Sequence, residues 1–335
     1  MKDEKLWFDH PQDSVEITTV RQRTEDVLEH AITLPFWSQD YTQLDKGHFS
    51  GMVTSVASKG VQLFREAMNR SVDELASAPQ DSYVIGLPTI IEGKSLWRGG
   101  QLSKNTLITL DKNAELLFRT SHSSEITAAV ISEQRLEDYA ANVEQIDIND
   151  LMKKVNPVEV IPHAVKSRLL SALFIGTEHL SKNLNDSMDH HQVWRHVEDS
   201  VLDSCLQALM AASENHSRHN EHRVHRYIVN CVRDITLSRH CEVLTIGDLC
   251  TTLNVSRRTL NHAFKQVLGI TPVAYMRNVR LHRIRAELKF SPKQVTSIAN
   301  VATRWGFWHM SLFSRYYREL FGESSSMTLE LARGQ

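Results

Sequence analysis

Apolar and polar positions follow two rhythms along this chain. Up to about residue 131, apolar residues come in short runs rich in Val, Ile and Thr, broken by Gly, Asn, Asp and Lys. The runs 49–56, 82–91, 94–102, 106–110, 116–120 and 126–131 predict strands, because β-branched and aromatic side chains suit a pleated, half-buried surface. Residues 61–75 fit either a strand or a helix, and 23–41, with Val27, Leu28, Ala31 and Trp37, predicts a short helix. The first 20 or so residues are polar and read as a loose arm. After residue 132 the spacing turns helical: 133–143, 163–184 and 193–212 place apolar residues three and four apart. Together these predict an α+β architecture, a small antiparallel β-barrel or sandwich followed by helices.

Beyond residue 245 one pattern is written twice. Ile246, Leu249, Cys250 and Val255 recur as Ile298, Val301, Ala302 and Phe307 at an offset of 52. Leu260, Phe264 and Lys265 recur as Phe313, Tyr317 and Arg318 at an offset of 53, so one residue has been added in the turn. Each copy reads as a helix-turn-helix. A short apolar helix is followed by a turn at Asn254 or Gly306, residue types that tolerate a left-handed backbone. In the first copy Ser256 is a good N-cap. Leu260, Ala263, Phe264, Val267 and Leu268 then form one buried stripe, leaving Arg257, Arg258, Asn261, His262 and Lys265 outside. In the second copy Phe313, Tyr316, Tyr317 and Leu320 make the stripe, and Met310, Ser311, Ser314, Arg315 and Arg318 face out. Such faces suit base edges and phosphates. A pair of ordinary surface helices is the bland alternative, but turn, cap, stripe and basic face recur together.

Between the copies, Thr271-Pro272 is a cap followed by proline at the first helical position. No Gly or Pro interrupts the chain from there to Leu288, a helix of roughly 25 Å. Arg277, Arg280, Arg283 and Arg285 are interspersed along it, as phosphate contacts or as a solvated face. Two recognition helices so spaced suit successive major-groove segments about 34 Å apart.

Charge sharpens the division. Residues 223–335 hold 17 Lys/Arg and 7 Asp/Glu, a net of +10, and the remainder holds 21 and 33, a net of −12. A basic terminal third is the electrostatic footprint of a nucleic-acid module. The predicted organisation is a domain over 1–212, a polar linker over 213–222 and a DNA-binding domain over 223–335. The linker region carries His216, His219, His222 and His225, each three apart; a His-rich solvated hinge explains them better than a metal site, and no metal is expected. Cys205, Cys231, Cys241 and Cys250 lack CxxC spacing and read as reduced thiols. No apolar run approaches a membrane span and the start leads into no signal-peptide core, so a cytoplasmic protein is expected.

The segment from about Arg223 onward resembles the DNA-binding domain of the AraC/XylS family of bacterial transcription regulators. The resemblance rests on Val255-Ser256, Leu260, Phe264-Lys265, Gly269, Thr271-Pro272, Arg280-Leu281, Leu288, Ile298, Ala302, Gly306-Phe307, Phe313-Ser314-Arg315 and Gly322. It implies base reading at Arg258, Asn261 and His262 in the first unit and at Met310, Ser311 and Arg315 in the second. It also implies promoter DNA and RNA polymerase as partners. Ser325 departs from the family's usual proline, and Trp308-His309 from its usual small polar cap.

The N-terminal part is similar to the cupin-like effector and dimer domains of that family. On Arg21-Gln22-Arg23-Thr24, Asp26-Val27, Glu29-His30-Ala31, Tyr41, Gln43-Leu44, Gly47, Phe49, Gly51 and Phe64-Arg65-Glu66 it resembles the regulators of ethanolamine-utilisation operons. This implies activation by a small-molecule effector, ethanolamine with adenosylcobalamin, in a homodimer. Trp37, Trp97 and Arg98 are candidates to line a barrel mouth, although an aromatic beside Arg is more often packing. GxGxxG after a strand, GxSxG, HExxH and the P-loop are all absent, so no enzyme is expected. The alternatives are a DNA-binding domain fused to a repair-type enzyme and a constitutive DNA-binding protein without effector.

Overall fold

The computed structural model describes residues 17–182, 190–214, 223–238, 244–292 and 297–334. The chain divides into two units. One comprises Met1–Tyr41, Ser50–Asn69 and Glu74–His219; the other comprises Thr42–Phe49, Arg70–Asp73 and Asn220–Gln335. The polar arm over residues 1–16 and most of the expected linker, 215–222, lie outside the described residues.

In the first unit the strand-like runs form strands. The order is β1 (Thr18–Thr24), α1 (Val27–His30), β2 (Ser38–Gln43), β3 (Gly51–Ser58), β4 (Val61–Met68), β5 (Val72–Ser77), β6 (Ser82–Glu92), β7 (Leu96–Trp97), β8 (Gly100–Gln101), β9 (Thr106–Leu110), β10 (Glu115–Arg119) and β11 (Ser123–Ser132). Next come α2 (Glu133–Val143), α3 (Ile148–Met152), β12 (Val158–Val160), α4 (His163–Lys182) and α5 (His190–Ser213). The ambiguous stretch 61–75 is a strand, β4, running into the start of β5. The run 94–102 breaks into β7 and β8 because Arg98 and Gly99 take positive φ, 44° and 84°, and turn the chain.

The expected barrel is an open arrangement instead. Seven strands pair in the order β1-β3-β4-β11-β6-β9-β12, and five in the order β2-β5-β10-β7-β8. A closed barrel needs a continuous ladder around its circumference. Here the seven-stranded sheet ends in the three-residue β12, and β7 and β8 have two residues each.

The sheets face each other across a core that includes Val53, Phe64, Val84, Trp97, Ile108, Phe118 and Ala128. Alternation along β4 sets its two faces: Phe64 joins that core, whereas Val61 and Leu63 join a second one. The second core is completed by Leu169 and Leu173 of α4 and Trp194, Leu202 and Leu206 of α5.

The second unit contains α6 (Arg223–Ser238), α7 (Ile246–Leu253), α8 (Arg257–Val267), α9 (Pro272–Phe290), α10 (Ile298–Arg304), α11 (Met310–Phe321) and α12 (Ser325–Gly334). It has two cores. Val229, Leu249, Leu260, Phe264 and Tyr275 belong to one, and Leu281, Leu288, Val301, Phe313, Tyr317 and Leu329 to the other. The 19-residue α9 serves the first core with its N-terminal half and the second with its C-terminal half. That is why its apolar residues form no single stripe.

Candidate DNA interface

Both repeats form helix-turn-helix units, and their local chemistry differs. In the first, Thr245 and Asp248 make a reciprocal capping box on α7. Asn254 ends that helix in the left-handed region, φ 50°. Ser256 Oγ accepts the Thr259 amide at 3.0 Å and caps α8. In the second unit Gly306 turns the chain at φ 78°. His309 stands at the N-cap of α11, but its side chain makes no capping hydrogen bond.

The backbone hydrogen bonds locate the added residue. Val255 N donates to Cys250 O at 3.0 Å, matched by Phe307 N to Ala302 O at 2.9 Å, 52 residues on. Leu260 N donates to Ser256 O and Phe313 N to His309 O, both at 3.0 Å, 53 residues on. The extra residue is therefore Trp308.

On α8, Leu260, Ala263 and Phe264 are buried, and Arg257, Arg258, Asn261, His262 and Lys265 are exposed, as is Ser256. The Asn261 amide nitrogen donates to Arg257 O at 2.9 Å, and the His262 ring meets His225 edge-on at 4.9 Å. On α11, Ser311, Ser314, Arg315 and Arg318 are exposed. Met310 is half-buried and packs against the core formed by Leu281, Phe313 and Tyr317, while the neighbouring Leu312 is exposed. The structure thus brings together ten of the eleven residues expected at the interface as two exposed faces, with Met310 turned partly inward.

Three of the four spacer arginines depart from expectation. Arg285 is buried, pairs with Glu323 Oε1 at 2.7 Å, and donates to Tyr317 OH and Thr328 Oγ1 at 3.3 Å. It ties α9 to α11 and α12 and reaches no phosphate. Arg277 stacks on Tyr316 at 4.3 Å and Arg280 on Phe307 at 5.1 Å; burial, and then Arg277, lower the Arg280 pKa. These stems cover aromatic rings of the second unit.

Arg285 has a counterpart 52 residues earlier, Arg233 on α6, which is also buried. Arg233 contacts Tyr275 OH at 3.3 Å, and Tyr275 stands 53 residues before Thr328. Ile270 occupies the position 53 residues before Glu323, so the first repeat lacks the acid. Asp73, in the segment Arg70–Asp73 that packs within this unit, pairs with Arg233 in its place. Burial works to lower the Arg233 pKa, but Asp73 and then Tyr275 outweigh it and hold it above the ordinary guanidinium value. No spacing in the sequence points to Asp73.

The segment Thr42–Phe49 also packs in this unit. Gln43 N donates to His282 Nε2 at 2.9 Å, and its side-chain amide donates to Leu320 O at 2.7 Å. Lys46 pairs with Glu319 at 2.8 Å.

In the first unit the expected mouth residues are largely packing. Trp97 is fully buried, donates Nε1 to Thr109 O at 2.9 Å and meets Phe118 edge-on. Arg98 is at the β7–β8 turn. Trp37 is half-buried and donates to Gln62 Oε1 at 3.1 Å. A buried polar cluster lies elsewhere. Tyr41 OH donates to Glu66 Oε1 at 2.8 Å and accepts from Gln39 Nε2 at 2.7 Å. The His30 ring lies 2.7 Å from Thr24 Oγ1 and 3.1 Å from Glu66 Oε1. Burial, then Glu66 and Glu74, push the Tyr41 phenol well above its ordinary pKa. The cluster draws on β1, α1, β2, β4 and β5, so no local motif announces it.

His216, His219, His222 and Cys241 lie outside the described residues. Among the described residues no group of three or more His, Cys, Asp or Glu is placed to hold a metal ion, and no helix is long and apolar enough to cross a membrane.

Two units with exposed polar faces, joined by a shared helix, define a double helix-turn-helix DNA-binding module. Residues 249–330 match the family model described as a helix-turn-helix domain. Over 100 residues the chain is 37% identical to the XylDLEGF operon transcriptional activator of Pseudomonas putida, covering 30% of this chain and 28% of that protein. It is 22% identical over 303 residues to a probable thc operon regulatory protein of Rhodococcus erythropolis, covering 88% and 90%. Among solved structures it is similar to the AraC-like transcriptional activator CuxR, at 16% identity and a TM-score of 0.41, covering 80% and 96%. Residues 249–330 are thus a helix-turn-helix domain, and the proteins the chain resembles are named as transcriptional regulators rather than enzymes.

Proposed function

We propose that the chain activates transcription by binding two half-sites of promoter DNA through α8 and α11, under the control of a small-molecule effector held by the first unit. The carrying observation is the repeat itself: two helix-turn-helix units with equivalent turns, each turning polar and basic side chains outward and sharing one spacer helix. The name of the Pseudomonas putida relative favours activation, with RNA polymerase as the partner recruited and a homodimer as the working species.

For the effector we propose an amine, with ethanolamine first and adenosylcobalamin as its companion. His30, Tyr41 and Glu66, three members of the buried polar cluster, are among the residues that carry the resemblance to ethanolamine-operon regulators. Glu66 and Glu74 are buried carboxylates suited to an ammonium group. The test is selection of bound duplexes from a random DNA pool by the full chain, with and without ethanolamine and adenosylcobalamin. The expected result is one bipartite site bound more tightly with effector. Enrichment of no sequence removes the regulator reading, and a site indifferent to both compounds removes only the effector.

A further inference from the structure

We infer that Trp308 and Leu312 make the second helix-turn-helix a reader of thymine methyl groups, so that the two half-sites differ in chemical kind. The inference rests on the DNA-binding reading above and adds what one of its two faces recognises.

Trp308 is the single residue by which the second repeat exceeds the first, and it sits in the turn leading into α11. Its side chain is 70% exposed. An apolar residue just before an N-cap ordinarily packs against the fourth helical residue, fixing the entry of the chain. That residue is Phe313, fully buried, and Phe307 already meets it at a ring separation of 5.5 Å. The fold therefore leaves the indole outside. Leu312, the third residue of α11, is a second exposed apolar side chain at the same end of the helix, 39% exposed.

The surroundings fit a polyanion carrying methyl groups. Ser311, Ser314, Arg315 and Arg318 are exposed on the same helix, in a segment of net charge +10. The thymine C5-methyl is the apolar group that the DNA major groove presents, and apolar side chains read it. On α8 every exposed residue is polar or charged: Arg257, Arg258, Asn261, His262 and Lys265. Those side chains match guanine and adenine edges. The first half-site is accordingly read by hydrogen bonds alone and the second by methyl contact beside the polar groups of α11, with Arg318 in the last turn available to phosphate.

The experiment uses the full chain and the site recovered by selection. Deoxyuridine replaces thymidine in one half-site at a time, deleting only the methyl groups. Uridine in the α11 half-site is expected to weaken binding roughly three- to ten-fold, the scale of one or two buried methyl groups. Uridine in the α8 half-site should change it less than two-fold. Trp308→Ala should lower affinity for the thymidine duplex by a similar factor and abolish the difference between the two duplexes. Because the indole is outside the core, the variant should melt like the parent, and Trp308→Phe should restore part of the discrimination.

Equal binding of thymidine and deoxyuridine duplexes by the parent overturns the inference while leaving sequence-specific binding intact. So does a Trp308→Ala variant that loses the same factor on both duplexes, because the indole then touches sugar or phosphate. Failure to recover any site by selection sinks the underlying reading instead.

Discussion

Arg258 is the second residue of α8, exposed, at the end of the helix that enters the groove in such units. A guanidinium there can grip guanine O6 and N7 together, worth about 1–3 kcal/mol of discrimination. Arg318 sits in the last turn of α11, where a phosphate is the nearer partner. Arg258→Ala should therefore lose affinity for the selected site and relax preference at one base pair, with little change on random DNA. Arg318→Ala should weaken both DNAs alike and lower the log–log salt slope by about 1. Salt titrations of both variants on both duplexes provide the check, and an equal loss on both duplexes for Arg258→Ala would reduce the α8 face to an electrostatic one. At this scale the sequence was informative. Ser256, Asn254 and Gly306 could be placed because caps and left-handed turns are chosen by residue type within four positions. Met310 could not be placed, since its burial depends on how α11 is rotated against its core.

Among the elements, α6 and α9 carry equivalent buried arginines with unequal support. Arg285 finds Glu323 inside its own repeat, but Arg233 takes Asp73 from a segment 160 positions away. Removing one partner of a buried pair leaves an uncompensated charge, a cost of about 3–5 kcal/mol, whereas apolar replacement of both is often neutral or stabilising. Asp73→Asn should accordingly lower the unfolding free energy obtained from urea titration by an amount in that range, with a lower midpoint, and Asp73→Leu with Arg233→Met should recover parental stability. A parental midpoint in the single variant would show that the pair contributes nothing. The spacer helix teaches the same lesson. Its arginines look like a solvated or phosphate-facing set in sequence, yet Arg285 is an internal tie and Arg277 and Arg280 are covers for aromatic rings.

For the whole molecule, a fragment spanning residues 223–335 holds both repeats and the spacer but lacks Asp73. It should bind DNA at low salt with an uneven footprint, α11 protecting its half-site as in the full chain and α8 protecting less. Arg233→Met in the fragment should even the two. Equal protection of both half-sites by the unmodified fragment would mean that Arg233 needs no counter-ion.

The elements of the DNA-binding module and the buried stripe of α8 were determined by the sequence alone, because helical stripes, caps and turns are set by neighbours along the chain, and a repeat shows each of them twice. The strands of the first unit were legible for the same local reason. Only the tertiary structure decided that the two sheets stay open, that Tyr41, His30, Glu66 and Glu74 gather in one buried cluster, and that Asp73 completes the first repeat. Those depend on which distant segments share a low-dielectric interior. There a charge or hydroxyl must find a partner wherever the fold supplies one, and no periodicity in the chain records where that partner lies.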